Sequence, residues 1–169
     1  LTRSQEVLDA IPPALNTQAF DFVVHGGDFL CGGGSFNLPT ETYLRSLDEA
    51  ATAFDQIQAP FYSIPGNHDC HAQNWSYKDY AARFPYPDPL TVVDAAPHLR
   101  LALANVFHNC DVREQSSGIW TDALDSALRS AAADALADGC VLLLFLHTWV
   151  LTDFDSDQSV VKDADKLRR

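Results

Sequence analysis

The chain has 169 residues, of which 47% are hydrophobic and 20% charged, and its formal net charge is −12. This composition is typical of a folded globular protein and not of a disordered chain. The length predicts one domain over residues 1–169. The acidic charge argues against a general binder of nucleic acid or anionic membranes, although bound cations can reverse the local field for a phosphate ester.

Apolar periodicity and helix breakers divide the first half of the chain into helices and strands. The predicted elements are a helix over residues 4–11 that Pro12 and Pro13 end or restart, a strand over 21–25, a glycine loop over 31–39, a helix over 40–58 with Thr40 as N-cap, and a strand over 61–64. The last strand is expected to stop at Pro65-Gly66.

The second half continues the alternation of helices and strands. The predicted elements are a short helix over residues 77–84, a proline-rich irregular segment, a strand over 99–106, a helix over 121–137 capped by Thr121 and closed by Gly139, a central strand over 140–146 buried on both faces, and a helix from about Ser159. This order predicts an α/β architecture with mainly parallel strands, in which ligands gather at the carboxyl ends of the strands.

Polar residues follow three of the predicted strands directly. Asp28, after Gly26-Gly27, would alone be interpreted as a turn former, and His147 alone as a hydrogen-bonded core histidine. The segment Pro65-Gly-Asn-His-Asp69 is more specific, although a turn with a surface histidine is the alternative. Asn67 offers a hard amide oxygen to a metal, His68 can act as a general acid, and Asp69 can orient His68. Found together and in this order, they favour one common site.

Gly27-Asp28, then Gly66-Asn-His-Asp69, then a histidine ending an apolar strand resemble the second, third and fourth blocks of the calcineurin-like metallophosphoesterase superfamily. The resemblance covers nearly the whole chain. It implies an α/β fold of two mixed β-sheets sandwiched between helices. The implied reaction is hydrolysis of a small phosphate monoester or diester, in which a metal-held hydroxide attacks phosphorus.

The same resemblance implies a role for each motif residue. Asp28 would bridge two divalent metal ions (Mn, Fe, Zn or Mg), and Asn67 and His147 would be ligands of the second metal. His68 would protonate or stabilise the leaving oxygen, and Asp69 would orient His68.

The sequence departs from the family pattern at both ends. The first block of the family, Asp-x-His, and its last block, Gly-His-x-His, have no counterpart here, so the domain is expected to be truncated at both termini and the fragment to have an incomplete site. The lack of any methionine also favours a fragment or a processed product. Two alternatives stay open: a non-catalytic scaffold for protein interaction, and an isolated chain that is not stably folded because its sheet edges are exposed.

Other residues near the motifs have simpler interpretations. His71 is a candidate extra ligand, but we favour a solvated loop residue, and His25 is expected to pack or hydrogen-bond locally. Aromatic residues after residue 69 suit either a leaving-group pocket or, as we favour, one packed helix face; they are Trp75, Tyr77, Tyr80 and Phe84.

Cys31 and Cys70 are candidates for a disulfide, with two free thiols favoured. The longest apolar run, residues 141–151, is shorter than the roughly 20 residues of a membrane span. No signal peptide is visible in the sequence. We therefore expect a soluble protein, cytoplasmic or exported, whose oligomeric state is left open.

Overall fold

A computed structural model describes residues 2–30, 38–71, 73–109, 111–113, 116–148, 150 and 162–163. The elements in chain order are α1 (Thr2–Asn16), β1 (Val23–His25), α2 (Thr40–Phe54), β2 (Phe61–Ser63), α3 (Lys78–Ala81), β3 (Leu90–Ala96), β4 (Leu99–Ala104), α4 (Asp122–Ala137) and β5 (Val141–Phe145). The predicted helix from Ser159 and most of the predicted glycine loop lie outside the described residues. None of the helices in the described ranges is long and apolar enough to cross a bilayer.

The described strands form two sheets. β1 pairs with β2 in parallel, with Val23 opposite Phe61. The second sheet has the order β3-β4-β5; β3 and β4 are antiparallel, and β4 and β5 are parallel with Leu99 opposite Val141. Helix α4 contacts all three strands of the second sheet, and α1 packs against α2. The predicted α/β fold with two sheets and flanking helices is confirmed.

The second sheet differs from its prediction in two respects. The strand β3 was not expected, because its apolar residues do not alternate cleanly and follow a proline-rich segment. The strand β5 is not buried on both faces: Val141 is 59% exposed and Leu143 41% exposed, and β5 pairs only with β4 among the described strands. The buried central strand is β4, where Leu101 and Ala102 are both fully buried.

Helix α1 continues through Pro12 and Pro13, contrary to the prediction that they end or restart it. Proline fixes φ at a helical value, so its cost in a helix is a missing hydrogen bond and a clash with the preceding turn. Pro12 is itself buried, and Leu8 and Leu15 pack against the core on the same helix. Tertiary packing therefore holds the helix together past the two prolines.

Helix α2 differs from its prediction at both ends. Pro39 is the N-cap and no side chain caps the helix, so Thr40 is the first helical residue and not the cap. The helix ends at Phe54, and Asn16 at the end of α1 binds the segment that follows. The Asn16 amide nitrogen donates to the Gln56 carbonyl at 2.8 Å, and its oxygen accepts from the Gln58 amide at 2.9 Å.

Helix α4 agrees with its prediction. The Thr121 hydroxyl accepts a hydrogen bond from the Leu124 amide at 3.2 Å, which satisfies one of the free donors of the first turn. After the helix, Gly139 has a φ of 66°, a left-handed conformation that suits glycine. The chain is thereby directed into β5 and toward His147.

Candidate metal centre

The loops after β1 and β2 meet at two glycines. Gly27 has a φ of 91°, and a Cβ there would lie 2.6 Å from the Gly66 nitrogen. A Cβ at Gly66 would overlap the Asp28 Oδ1 atom. Asp28 itself has a φ of 59°, in the left-handed region that aspartate tolerates better than most residues. The glycines therefore allow the two motif loops to approach until their backbones touch.

The carboxylate of Asp69 links these two loops. Its Oδ2 atom accepts hydrogen bonds from the Asp28 and Gly66 amides, both at 2.8 Å, and its Oδ1 atom accepts from the Leu30 amide at 3.2 Å. Asp69 is fully buried, and this burial raises its pKa to about 6, against the effect of the amides. The structure thus shows Asp69 bound to backbone groups; its predicted role as the partner of His68 stays a prediction.

The carboxylate of Asp28 faces the other two motifs. Its Oδ1 atom accepts from the His68 amide at 2.8 Å, and its Oδ2 atom lies 3.1 Å from Nε2 of His147. Partial burial acts to raise the Asp28 pKa, but the hydrogen bonds from His147 and the His68 amide outweigh it, so the pKa is lowered. The side chain is 29% exposed and remains accessible from solvent.

The imidazole of His147 has a defined orientation. Its Nδ1 atom lies 2.7 Å from the Gly26 carbonyl oxygen, which can only accept, so Nδ1 carries a hydrogen. The other nitrogen, Nε2, therefore faces Asp28. Metal-binding histidines commonly donate one ring N–H to a carbonyl in this way, which leaves the second nitrogen for the metal. Burial acts to lower the His147 pKa, but the bonds to Asp28 and Gly26 prevail and raise it.

Asn67 and His68 lie beside this pair. Both are half-buried, and the amide of His68 binds Asp28 directly. Within the described residues there is no group of three His, Cys, Asp or Glu side chains that could hold a metal, so the candidate set is one carboxylate, one imidazole and the Asn67 amide. Oxygen and imidazole donors fit a divalent cation. The structure therefore brings Asp28 and His147 into contact, and it places the backbone of His68, the residue that follows Asn67, against the Asp28 carboxylate.

Two further histidines have structural contacts. His71 is 4% exposed; its Nδ1 atom accepts from the Gln73 amide at 3.2 Å and its ring packs on Tyr43, so the interpretation as a solvated loop residue is wrong. The His71 backbone is also bonded, since its amide donates to the Ser76 carbonyl at 2.8 Å and its carbonyl accepts from the Trp75 amide at 2.7 Å. His25 accepts from the Gly27 amide at 3.1 Å and packs on Phe29, which confirms local packing and hydrogen bonding.

The aromatic residues after the second motif are mostly core residues. Tyr77, Tyr80 and Phe84 are buried together, which confirms packing in the core. The predicted helix over residues 77–84 is shorter, Lys78–Ala81, so only Tyr80 packs from the helix itself. Cys31 lies outside the described residues, so a disulfide with Cys70 and two free thiols both stay predictions. Cys70 is a buried thiol that donates to the Asn67 carbonyl at 3.3 Å.

Sequence reasoning missed two tyrosine hydroxyls that bind the second motif. Tyr43 donates to the Asp69 carbonyl and Tyr77 donates to the Gly66 carbonyl, each at 2.8 Å. A tyrosine at a buried helical position is a usable signal, because its hydroxyl needs a hydrogen-bond partner there. Only the structure shows which carbonyl is that partner.

The fold and the site define a two-sheet α/β protein with polar loops converging at the ends of β1, β2 and β5. The family model for calcineurin-like phosphoesterases matches residues 1–127, and the chain belongs to this family. Among solved structures, a dimetal phosphatase from Danio rerio is similar, with 12% identity and a TM-score of 0.70. The match covers 97% of this chain and 66% of that chain, and at this identity it shows the fold alone. No curated protein matches.

Proposed function

We propose that this chain carries part of the active site of a metal-dependent phosphoric ester hydrolase that acts on small phosphate monoesters or diesters. Membership of the calcineurin-like phosphoesterase family supports the reaction class. The observation that carries the proposal is the arrangement of His147, whose Nδ1 hydrogen is bound by the Gly26 carbonyl while Nε2 faces the Asp28 carboxylate.

The chain would hold its divalent ions through Asp28, Asn67 and His147, with Asp28 as the bridging ligand. When bound, such ions lower the pKa of a water molecule and neutralise charge on the phosphoryl oxygens. The acidic protein needs this neutralisation, because a net charge of −12 would otherwise repel a phosphate ester.

His68 is proposed to give its proton to the leaving oxygen. Its backbone is fixed by the bond from its amide to Asp28, and its side chain is half-buried beside the carboxylate. A positioned general acid typically contributes about 10²- to 10⁴-fold to a rate. Asp69 would support His68 indirectly as well, because its carboxylate fixes both loops that flank the site.

The test is manganese-dependent hydrolysis of para-nitrophenyl phosphate and of its bis ester. This chain should be compared with a version extended at both ends by the flanking coding sequence. We expect the extended protein to turn over, and His68→Ala to lower its rate by about 10²-fold or more. Asp28→Ala should abolish turnover. The exposed residues His98 and Asp55 provide matched alanine controls, which should leave the rate unchanged.

Absence of turnover and of manganese binding in the extended protein would overturn the proposal. The non-catalytic scaffold would then be the better interpretation. Hydrolysis that survives Asp28→Ala would instead place the active site elsewhere in the molecule.

A further inference from the structure

We propose that Tyr43 and Tyr77 are positioning residues, whose hydroxyl groups hold the turn over residues 66–69 in the geometry that the metal centre needs. The inference rests on the proposed function, since Asn67 and His68 matter as ligand and acid only if that function holds. Neither tyrosine belongs to the motif blocks that carry the family resemblance.

The two hydroxyls bind opposite ends of this turn. Tyr77 donates to the carbonyl of Gly66, its first residue, and Tyr43 donates to the carbonyl of Asp69, its last residue. Asn67 and His68 are the residues between these two carbonyls. Both bonds measure 2.8 Å, the usual length for a hydroxyl donor.

The remaining contacts of the turn explain why the hydroxyls matter. Within the turn, the Asp69 amide donates to the Gly66 carbonyl at a long 3.3 Å. The Asp69 carboxylate binds the Gly66 amide, which fixes the N–H side of the turn. The tyrosines fix the carbonyl side. Without the two hydroxyls, the Gly66 and Asp69 carbonyls would lose their 2.8 Å hydrogen bonds. The peptide groups of Asn67 and His68 would then be freer to rotate.

Burial makes these bonds difficult to replace by water. Tyr43 is fully buried in α2 and Tyr77 is 9% exposed at the start of α3, so the hydroxyls reach the turn from separate elements. A buried carbonyl that loses its best donor is left with an uncompensated desolvation cost, because water does not reach it to replace the bond. Phenylalanine would fill the same apolar space and remove only the donor.

Tyr80 provides a matched control within the same core cluster. It is fully buried like Tyr43, and its hydroxyl lies 2.8 Å from the Ser63 hydroxyl. Ser63 belongs to β2 and lies outside the turn. The change Tyr80→Phe therefore removes a buried tyrosine hydrogen bond of the same length that does not involve the turn, and it keeps the ring that packs on Phe29.

The experiment compares Tyr43→Phe, Tyr77→Phe and Tyr80→Phe by amide hydrogen exchange in this chain, without metal. The reporters are the amides of Gly66, His68 and Asp69, each of which donates a hydrogen bond within the two loops. We expect Tyr43→Phe and Tyr77→Phe to speed the exchange of these amides about fivefold or more relative to β4, because the turn opens locally once a carbonyl loses its hydroxyl donor. Tyr80→Phe should not change this ratio.

A manganese titration of the extended protein tests the link to the metal centre. Free Mn²⁺ is measured by its electron paramagnetic resonance signal. Manganese affinity should fall about fivefold in Tyr43→Phe and Tyr77→Phe and stay unchanged in Tyr80→Phe. Equal effects of all three variants on exchange, or no effect, would overturn the inference. Selective exchange with unchanged manganese affinity would also overturn it, because the bonds would then be structural only.

Failure of the proposed function has a different result. In that case, no variant, nor the parent, would bind manganese or hydrolyse either ester, and hydrogen exchange alone would decide whether the tyrosines hold the turn.

Discussion

The two halves of the candidate centre are held in different ways. The turn half consists of Asp28 and residues 66–69, where a fully buried carboxylate accepts three backbone hydrogen bonds and two buried tyrosines bind the carbonyls. The strand half is His147 at the end of β5, a strand that pairs only with β4 in the described part of the chain. Contacts of the His147 ring with Gly26, Asp28 and Phe107 connect it to the rest of the centre.

This difference separates stability from function. Asp69 and Gly66 in the turn half support the core and the site together, so changing either of them should destabilise the protein as well as impair the centre. His147 makes its polar contacts at a half-buried position, with 15% of its side chain exposed. Changing it should therefore affect the centre far more than the fold.

The largest loss of stability is expected for Asp69→Asn. The amide group matches the carboxylate in shape, but one acceptor oxygen becomes a donor that faces a backbone N–H. We expect the free energy of unfolding in urea at pH 7 to fall by about 3 kcal/mol, the upper range for a buried group left unsatisfied. Asp134→Asn, on the exposed face of α4, is the control and should change little. If the free energy of unfolding fell by less than about 1 kcal/mol in Asp69→Asn, the Asp69 carboxylate would not be what holds the loops after β1 and β2 together.

A somewhat smaller loss is expected for Gly66→Ala. Its Cβ would overlap Asp28 Oδ1 and lie 2.6 Å from the Asp28 nitrogen, so the two loops must move apart. Overpacking of this kind costs about 1–3 kcal/mol, and we expect about 2 kcal/mol in the same urea experiment. Gly26→Ala is the control, because a Cβ at Gly26 meets nothing within 4 Å. Equal effects of the two substitutions would mean that the close approach of the loops is not what matters at Gly66.

The candidate residues of both halves were easier to predict from the sequence than the contacts that hold them. An apolar run that leads to His147, and strands that end before Asp28 and Asn67, follow from local patterns, as does the Thr121 cap of α4. Each of these depends on residues close together in the chain. The contact between Asp28 and His147 could not be predicted in the same way, because β1 and β5 belong to different described sheets and only the structure shows how the ends of these strands meet.

The turn half depends on contacts that local patterns do not encode. Tyr43 reaches the Asp69 carbonyl across 26 positions of sequence, and the Asp69 carboxylate reaches Leu30 across 39. The exposure of Val141 in β5 was missed for a related reason. An apolar strand looks the same in sequence whether its neighbours cover one face or two.

The smallest loss of stability, with a large loss of function, is expected for His147→Asn. The asparagine Nδ2 group occupies nearly the place of Nδ1, so it can still donate to the Gly26 carbonyl, while the nitrogen that faces Asp28 is removed. The contact with Asp28 and the ring contact with Phe107 are lost, and because the ion pair is partly exposed we expect the cost in urea to stay near about 1 kcal/mol. Manganese binding by the extended protein should weaken at least about tenfold, equivalent to roughly 1.4 kcal/mol.

His98→Asn, at an exposed position between β3 and β4, should change neither quantity. If His147→Asn unfolded the protein as readily as Asp69→Asn, the strand half would be as firmly tied to the core as the turn half, and the proposed difference between them would be wrong. Unchanged stability together with unchanged manganese binding would remove His147 from the metal centre. Because Nδ1 and Nε2 bind separate partners, this one substitution separates the bond that holds the ring from the atom that would hold the metal.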